Sequence, residues 1–323
     1  MQFRAKLDTN LQWHPTLAWG YAMAALKELH VQGGVLLNGY IDATLIWRGL
    51  GQAPNYPTLP HRRPWVGFLH HPPFVPEWYS QGIYPSAQQI LHCNSFGESL
   101  PYCLGLFTLS RYLKYWIEKQ ISGVQVNSVL HPAQTPGVKF TLQAYHNSKS
   151  KKVVHIGWWL RKVHSFYRLK LYTLSKLLLM PFKKQVSVAP FTDHVLGVEG
   201  SLVGEYKGDV NIEYYKDAAD YDRLLSENIV FVDLYDSSAN NIIVECMVRN
   251  TPLIVNRHPA VVEYLGEEYP LYFTSLRQAE RLIEDIEAIT AGHLYLSNLK
   301  AKSLLSTSEF VASVATSEIY RSL

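Results

Sequence analysis

Ile229-Val-Phe-Val-Asp-Leu-Tyr-Asp-Ser-Ser-Ala-Asn-Asn-Ile-Ile-Val-Glu245 decides the fold. Ile229 to Leu234 is nearly all apolar, as a strand must be when both faces of a parallel sheet are covered. Small and polar residues then make a turn, and Ser238 to Arg249 carries a helical pattern. Pro252-Leu-Ile-Val255 reads as the next strand. Strand, turn, helix, strand is the repeating unit of a doubly wound α/β layer. Upstream, Val153-Val-His-Ile156 is a strand that ends at Gly157. Downstream, Leu271-Tyr-Phe273 is a last short strand, and helices over Leu276–Ile289 and Ser297–Tyr320 close the chain.

The first half repeats the alternation. Thr16 to Val31 reads as a helix capped by Thr16. Trp65-Val-Gly-Phe-Leu-His70 and Leu106-Phe-Thr-Leu-Ser110 are strands, the second followed by a helical pattern over Arg111–Lys119. Val126-Asn-Ser-Val-Leu130 is a third strand, ending at His131-Pro132. Gly49 to Pro64 is rich in Pro, Gly and His and reads as a surface loop. Gln143 to Lys152, with Asn, Ser and Lys, reads as an interdomain linker. Two doubly wound domains joined in this way imply a cleft, with ligands outside the carboxyl ends of the strands.

Composition narrows the function. The 323 residues suffice for two domains, and 47% apolar residues suffice for their cores. A net charge of +3 argues against a general nucleic-acid binder. Cys93, Cys103 and Cys246 lack CxxC spacing and read as reduced thiols in a cytoplasmic protein. Met1 to Asn10 has no signal-peptide pattern, and no apolar run approaches a bilayer span.

Three constellations carry chemistry. In the first, free N–H groups around Ser237, Ser238, Asn240 and Asn241 form an anion site at a helix start. Glu245 lies roughly 10 Å farther along the axis, at about 1.5 Å per residue. A diphosphate at the helix start leaves a ribose near that carboxylate; the alternative is a capped helix with Glu245 paired to an Arg. In the second, the strand into Gly157 delivers Arg161 and Lys162, a planar fork and a point charge suited to phosphates; the alternative is a solvated basic pair. In the third, His70 and His71 end a strand and enter a Pro-rich loop containing Glu77. Either histidine, or Glu77, is a candidate catalytic base, and the alternative is a pair of histidines capping a strand. Trp13, His14 and Trp19 join this group as candidate acceptor contacts. The basic, apolar stretch Arg161 to Lys184 reads as an amphipathic helix packing on its own sheet, with peripheral membrane contact as the lesser alternative. No metal is implied, because no DxD-like carboxylate pair ends a strand.

Arg161-Lys162 after a Gly-terminated strand resembles the diphosphate-binding loop of GT-B glycosyltransferases, especially family 4 and its relatives. Asn240-Asn241…Glu245-Cys-Met…Asn250-Thr-Pro-Leu-Ile-Val255 resembles their nucleotide-binding helix and following strand, and Val261-Val-Glu-Tyr-Leu-Gly266 the next helix. Phe107-Thr-Leu-Ser-Arg-Tyr-Leu113 and His131-Pro132 resemble strand ends of their first domain. Bacterial or viral surface-polysaccharide transferases with this SANN…E pattern are similar too. The resemblance implies an α/β fold of GT-B type, with two Rossmann-like doubly wound domains facing a central cleft. It implies an acceptor-binding domain over 1–148, a nucleotide-sugar-binding domain over 149–300, and a C-terminal helix over 301–323 packing back on the first. It assigns Glu245 to the ribose, Arg161 and Lys162 to the diphosphate, and His70 or His71 to the transferred sugar. The donor would be a nucleotide-diphosphate sugar, the acceptor a glycan or other hydroxyl, with no cofactor, metal or nucleic acid. The pattern departs from the family at one point: Ser237 stands where a first Glu is expected, with Asp236 adjacent. An epimerase of the same fold, or a degenerate nucleotide-sugar-binding protein, are the alternatives.

Overall fold

A computed structural model describes residues 6–9, 17–46, 60–80, 85–180, 197–203 and 210–323. Trp13, His14, Thr16, Lys183 and Lys184 lie outside the described residues. The chain forms two compact units. The first holds the described residues up to Ala133, with Asp236–Asn241 and Ser303–Leu323; the second holds those of Gln134–Tyr235 and Ile242–Lys302.

The first unit is built on a parallel sheet of five strands in the order β1-β2-β3-β4-β5. These are Leu7–Asp8, Val35–Asn38, Trp65–Leu69, Cys103–Thr108 and Val126–Ser128. Side chains of β3 alternate between two cores, as period-2 geometry requires. Val66 and Phe68 join one cluster with Trp19, Met23, Phe107 and Phe310. Trp65 and Leu69 join the other with Leu36, Leu113 and Ile117. The helix Leu17–Ala25 and the C-terminal helices Thr307–Thr316 and Glu318–Ser322 cover the first face. Gly105 on β4 makes room for them, since a Cβ there would lie 2.6 Å from Ile319.

The second unit has a parallel sheet of six strands in the order β11-β10-β9-β6-β7-β8. They are β6 Lys152–Ile156, β7 Ser175–Met180, β8 Val210–Tyr214, β9 Ile229–Val232, β10 Leu253–Asn256 and β11 Tyr272–Phe273. Every residue of β9 is buried, which accounts for its unbroken apolar run. Its Phe231 stacks on Phe166 and on Phe273, with centroids 6.0 and 5.4 Å apart.

Several expectations are corrected. The division after the first unit falls at Ala133 and not at 148, because residues 134–147 bond to the second unit. There Gly137 N donates to Asp222 at 2.9 Å and Phe140 N to Arg249 O at 2.8 Å. Asp236–Asn241 counts with the first unit for the same kind of reason. Asp236 accepts from Phe74 N at 2.7 Å and Tyr112 Oη at 3.0 Å, and Ala239 packs on the first core. The stretch Arg161–Lys184 is not one helix. The described part is a helix, Val163–Arg168, then a turn and β7. Lys176 inside β7 is buried, and its ammonium donates to the carbonyls of Tyr167 and Leu169, both at 2.9 Å. The closing helices are also broken, by caps at Asp285, Ser306 and Ser317.

Candidate functional site

Strand order in the second sheet reverses between β6 and β9. Such a switch point opens a crevice at the carboxyl ends of the two strands, where ligands of α/β sheets bind. The chain leaves β6 through Gly157 and β9 through Asp233. The two exits are zipped together. Lys162 N donates to Asp233 O at 2.7 Å, and Tyr235 N donates to Leu160 O at 3.0 Å. Leu160 is held at φ 51°, a left-handed conformation costly for a side chain of this size.

Arg161 is nearly buried, and its guanidinium crosses directly over Gly157. A Cβ at position 157 would lie 2.5 Å from Nη1, and Gly157 also has φ 69°, so glycine is required twice. Lys162 comes with a counter-charge: its Nζ lies 3.0 Å from Asp233 Oδ1, while Asp233 Oδ2 accepts from Ser165 Oγ at 2.8 Å. That pairing fixes where the ammonium sits.

Glu245 lies on the helix Asn241–Arg249, whose start falls at Asn241 and not at Ser238. Its carboxylate accepts a hydrogen bond from Tyr221 Oη. Burial pushes its pKa above the usual carboxylate range, while the Tyr221 hydrogen bond and the charges of Arg249 and Arg161 pull it back. The side chain of Arg249 turns to Asp222, at 2.6 Å from Nη2 and 2.9 Å from Nε, and meets Glu245 only at its main-chain oxygen. Gly157 and Arg161 are in direct contact, and Lys162 and Glu245 belong to the same second unit. Ser237, Ser238, Asn240 and Asn241 belong to the first, the leading three of them buried.

In the first unit, His70 and His71 follow β3 and are clamped by Asp42, which is fully buried on the helix Ile41–Ile46. Asp42 Oδ2 accepts from His70 N at 2.9 Å and lies 3.3 Å from His70 Nδ1; its Oδ1 accepts from His71 N at 2.8 Å. Burial alone would raise the Asp42 pKa, but the two histidines more than offset it and hold it at about 2. Trp19 and Tyr40 meet the His70 ring edge-on at 4.6 and 4.3 Å. Burial lowers the pKa of His70 despite the attraction of Asp42, so the ring is neutral at pH 7. Its Nδ1–H then faces Asp42, and its Nε2 is buried with no hydrogen-bond partner among the described residues. That is the state a general base needs. His71 Nδ1 is engaged by Pro85 O at 2.6 Å. Glu77 opens the helix Glu77–Ser80 and is exposed.

The sequence matches no protein-family model and no curated protein. Solved structures do match. Sucrose-phosphate synthase from Thermosynechococcus elongatus superimposes with a TM-score of 0.60 at 12% identity, over 89% of this chain and 73% of that one. Anabaena HepE, solved with UDP and glucose, gives 0.59 at 13%, over 81% and 72%. Staphylococcus aureus TarM, solved with UDP, fondaparinux and α-GlcNAc-glycerol, gives 0.57 at 11%. This chain covers 88% of itself in that match and 55% of TarM, so it spans about half of the TarM length.

The fold is GT-B.

Within this GT-B chain, Asp236 stands next to Ser237, the position where the family has its first Glu. Its carboxylate is engaged by Ser237 N at 2.8 Å, Phe74 N and Tyr112 Oη. Sequence reading missed Asp42, Tyr221 and the Lys162 partner role of Asp233. Asp233 carries a local signal, a lone carboxylate closing an apolar strand. Asp42 and Tyr221 carry none, because their partners come from other elements.

Proposed function

We propose that this chain transfers a sugar from a nucleotide-diphosphate sugar to a hydroxyl of a glycan or related acceptor. The observation that carries the reading is the placement of Arg161 and Lys162 just beyond β6 at the β6/β9 switch point, with Glu245 on the helix that follows β9. Arg161 and Lys162 neutralise the diphosphate, and Glu245 accepts from the ribose hydroxyls in place of Tyr221. Charge neutralisation of the departing nucleoside diphosphate is the main electrostatic task of the reaction, and two fixed cations perform it without a metal ion or resident cofactor. The solved neighbours that hold UDP support the same donor class.

The first unit takes the acceptor on this reading. His70, neutral and oriented by Asp42, accepts the proton of the attacking hydroxyl at Nε2 if the reaction inverts; His71 and Glu77 are the lesser candidates. The free thiols Cys93, Cys103 and Cys246 fit a reducing, cytoplasmic setting.

The test is calorimetry with UDP, GDP and their sugars in the presence of EDTA, on the wild type, Arg161→Ala and Glu245→Gln. Binding to the wild type that weakens in both variants supports the reading. Equal affinity in all three, or binding abolished by EDTA, overturns the corresponding part. Conversion of a bound nucleotide sugar with no acceptor present would mark an epimerase instead.

A further inference from the structure

Beside the proposed phosphate loop lies a buried carboxylate to which that reading gives no role. Glu199, on the helix at 197–203, is 1% exposed. Its Oε2 accepts from His164 N at 2.7 Å and from His164 Nδ1 at 2.7 Å. Its Oε1 accepts from Tyr235 Oη at 2.6 Å. Three donors on one buried carboxylate are a strong, directional clamp.

The clamped residues are placed with purpose. His164 stands two residues after Lys162, at the start of the helix Val163–Arg168. Tyr235 stands two residues after Asp233, the carboxylate that pairs with Lys162. The Lys162 ammonium also lies over the Tyr235 ring, 5.7 Å from its centroid. Residues 160–165 and 233–235 are zipped by their own main chains, and Glu199 ties both segments from outside. Burial and the negative charge of Glu199 push the Tyr235 pKa up, so its hydroxyl stays a donor.

We propose that Glu199 is a positioning residue for the Arg161–Lys162 loop, holding it in phosphate-binding geometry through His164 and Tyr235. The loop is strained at Leu160 and carries two cations near each other, so it would relax without an outside tie. Glu199 supplies that tie without touching the ligand. The inference rests on the proposed donor site for its functional consequence, but its structural half stands independently.

The experiment compares wild type, Glu199→Gln and Tyr235→Phe by hydrogen exchange over 158–166 and by calorimetry with UDP, GDP, uridine and guanosine. In both variants, exchange over 158–166 rises while the first unit stays protected. Affinity for the nucleoside diphosphate that the wild type binds falls at least about tenfold, and affinity for its nucleoside holds, since only the phosphate grip is loosened. Unchanged exchange over 158–166 in a folded variant overturns the proposal. So does an equal loss for diphosphate and nucleoside. If the wild type binds neither diphosphate, the donor reading fails and the exchange data alone still decide the role of Glu199. Should Glu199→Gln not fold, Tyr235→Phe, which removes one hydrogen bond and keeps the ring, carries the test.

Discussion

Asp42 Oδ2 meets His70 twice, accepting from its main-chain nitrogen at 2.9 Å and facing its Nδ1 at 3.3 Å. One carboxylate therefore fixes both the loop that carries the imidazole and the tautomer of the ring. Asp42→Ala leaves the main-chain donors of His70 and His71 without their acceptor in a buried site, at a stability cost of about 1–3 kcal/mol for each group stranded. If His70 is the base, Asp42→Asn lowers kcat by about 100-fold or more, because the ring no longer holds Nε2 free to accept. Steady-state kinetics with the donor identified by calorimetry check this. Loss confined to KM of the donor would contradict it.

Gly157 sits beneath the Arg161 guanidinium, so Gly157→Ala separates fold from function. The left-handed φ of 69° costs an alanine about 1 kcal/mol. The steric conflict falls on the far end of a flexible side chain, so the fold yields cheaply and the guanidinium moves. Denaturant melts are expected to show only the small loss, while nucleoside diphosphate affinity drops by tenfold or more, equivalent to about 1.4 kcal/mol. Affinity that merely tracks stability would place Arg161 outside the phosphate site.

The decisive features were legible where sequence and structure share one local cause. Ile229–Val232 reads as a buried strand because both its faces are covered, and Gly157 reads as a strand-ending turn because the backbone there is left-handed. Strand β7 was hidden because Lys176 and its basic neighbours break the apolar run, although the ammonium is buried among carbonyls. Strand β8 was hidden for the opposite reason: it is an edge strand whose Ile212 and Tyr214 are exposed. Asp42 could not be found from sequence, since its meaning lies in residues 28 and 29 positions away. The assignment of Phe140 to the second unit is likewise set by a main-chain bond to Arg249. Pattern reading recovers elements and their exits; pairings between elements need the fold.

Three buried histidines give the protein an acid limit. Burial lowers His61 and His131 to about 4 and His155 to about 3, from an ordinary 6.5, so each is neutral in the folded state at pH 7. Between pH 6.5 and 4 the unfolded chain takes up protons that the folded chain refuses. Stability therefore falls as pH drops through that window, with a slope of up to about 1.4 kcal/mol per pH unit for each histidine. His155 is fully buried near Phe166 and Phe231, so His155→Leu can replace it with an apolar group. Urea melts at pH 7 and pH 5 should show a smaller difference in the variant. An unchanged difference would mean that His155 is charged or solvated when folded.

The C-terminal segment can be tested as part of the first unit through a single contact. A Cβ on Gly105 would lie 2.6–2.8 Å from three carbons of Ile319, a branched side chain that is itself fully buried. Gly105→Ala therefore overpacks the sheet against the helix Glu318–Ser322, at about 1–3 kcal/mol. Ile319→Ala alone leaves a cavity and costs about 2–5 kcal/mol. Together the two changes should cost less than their sum, because the new methyl occupies space that the truncation vacates. A double-mutant cycle in urea reads this as a favourable coupling of about 0.5 kcal/mol or more. Strict additivity would mean that the terminal helix does not rest on β4 in solution, and that residues 303–323 contribute to the first core by some other contact, with Phe310 against Phe68 as the next to examine.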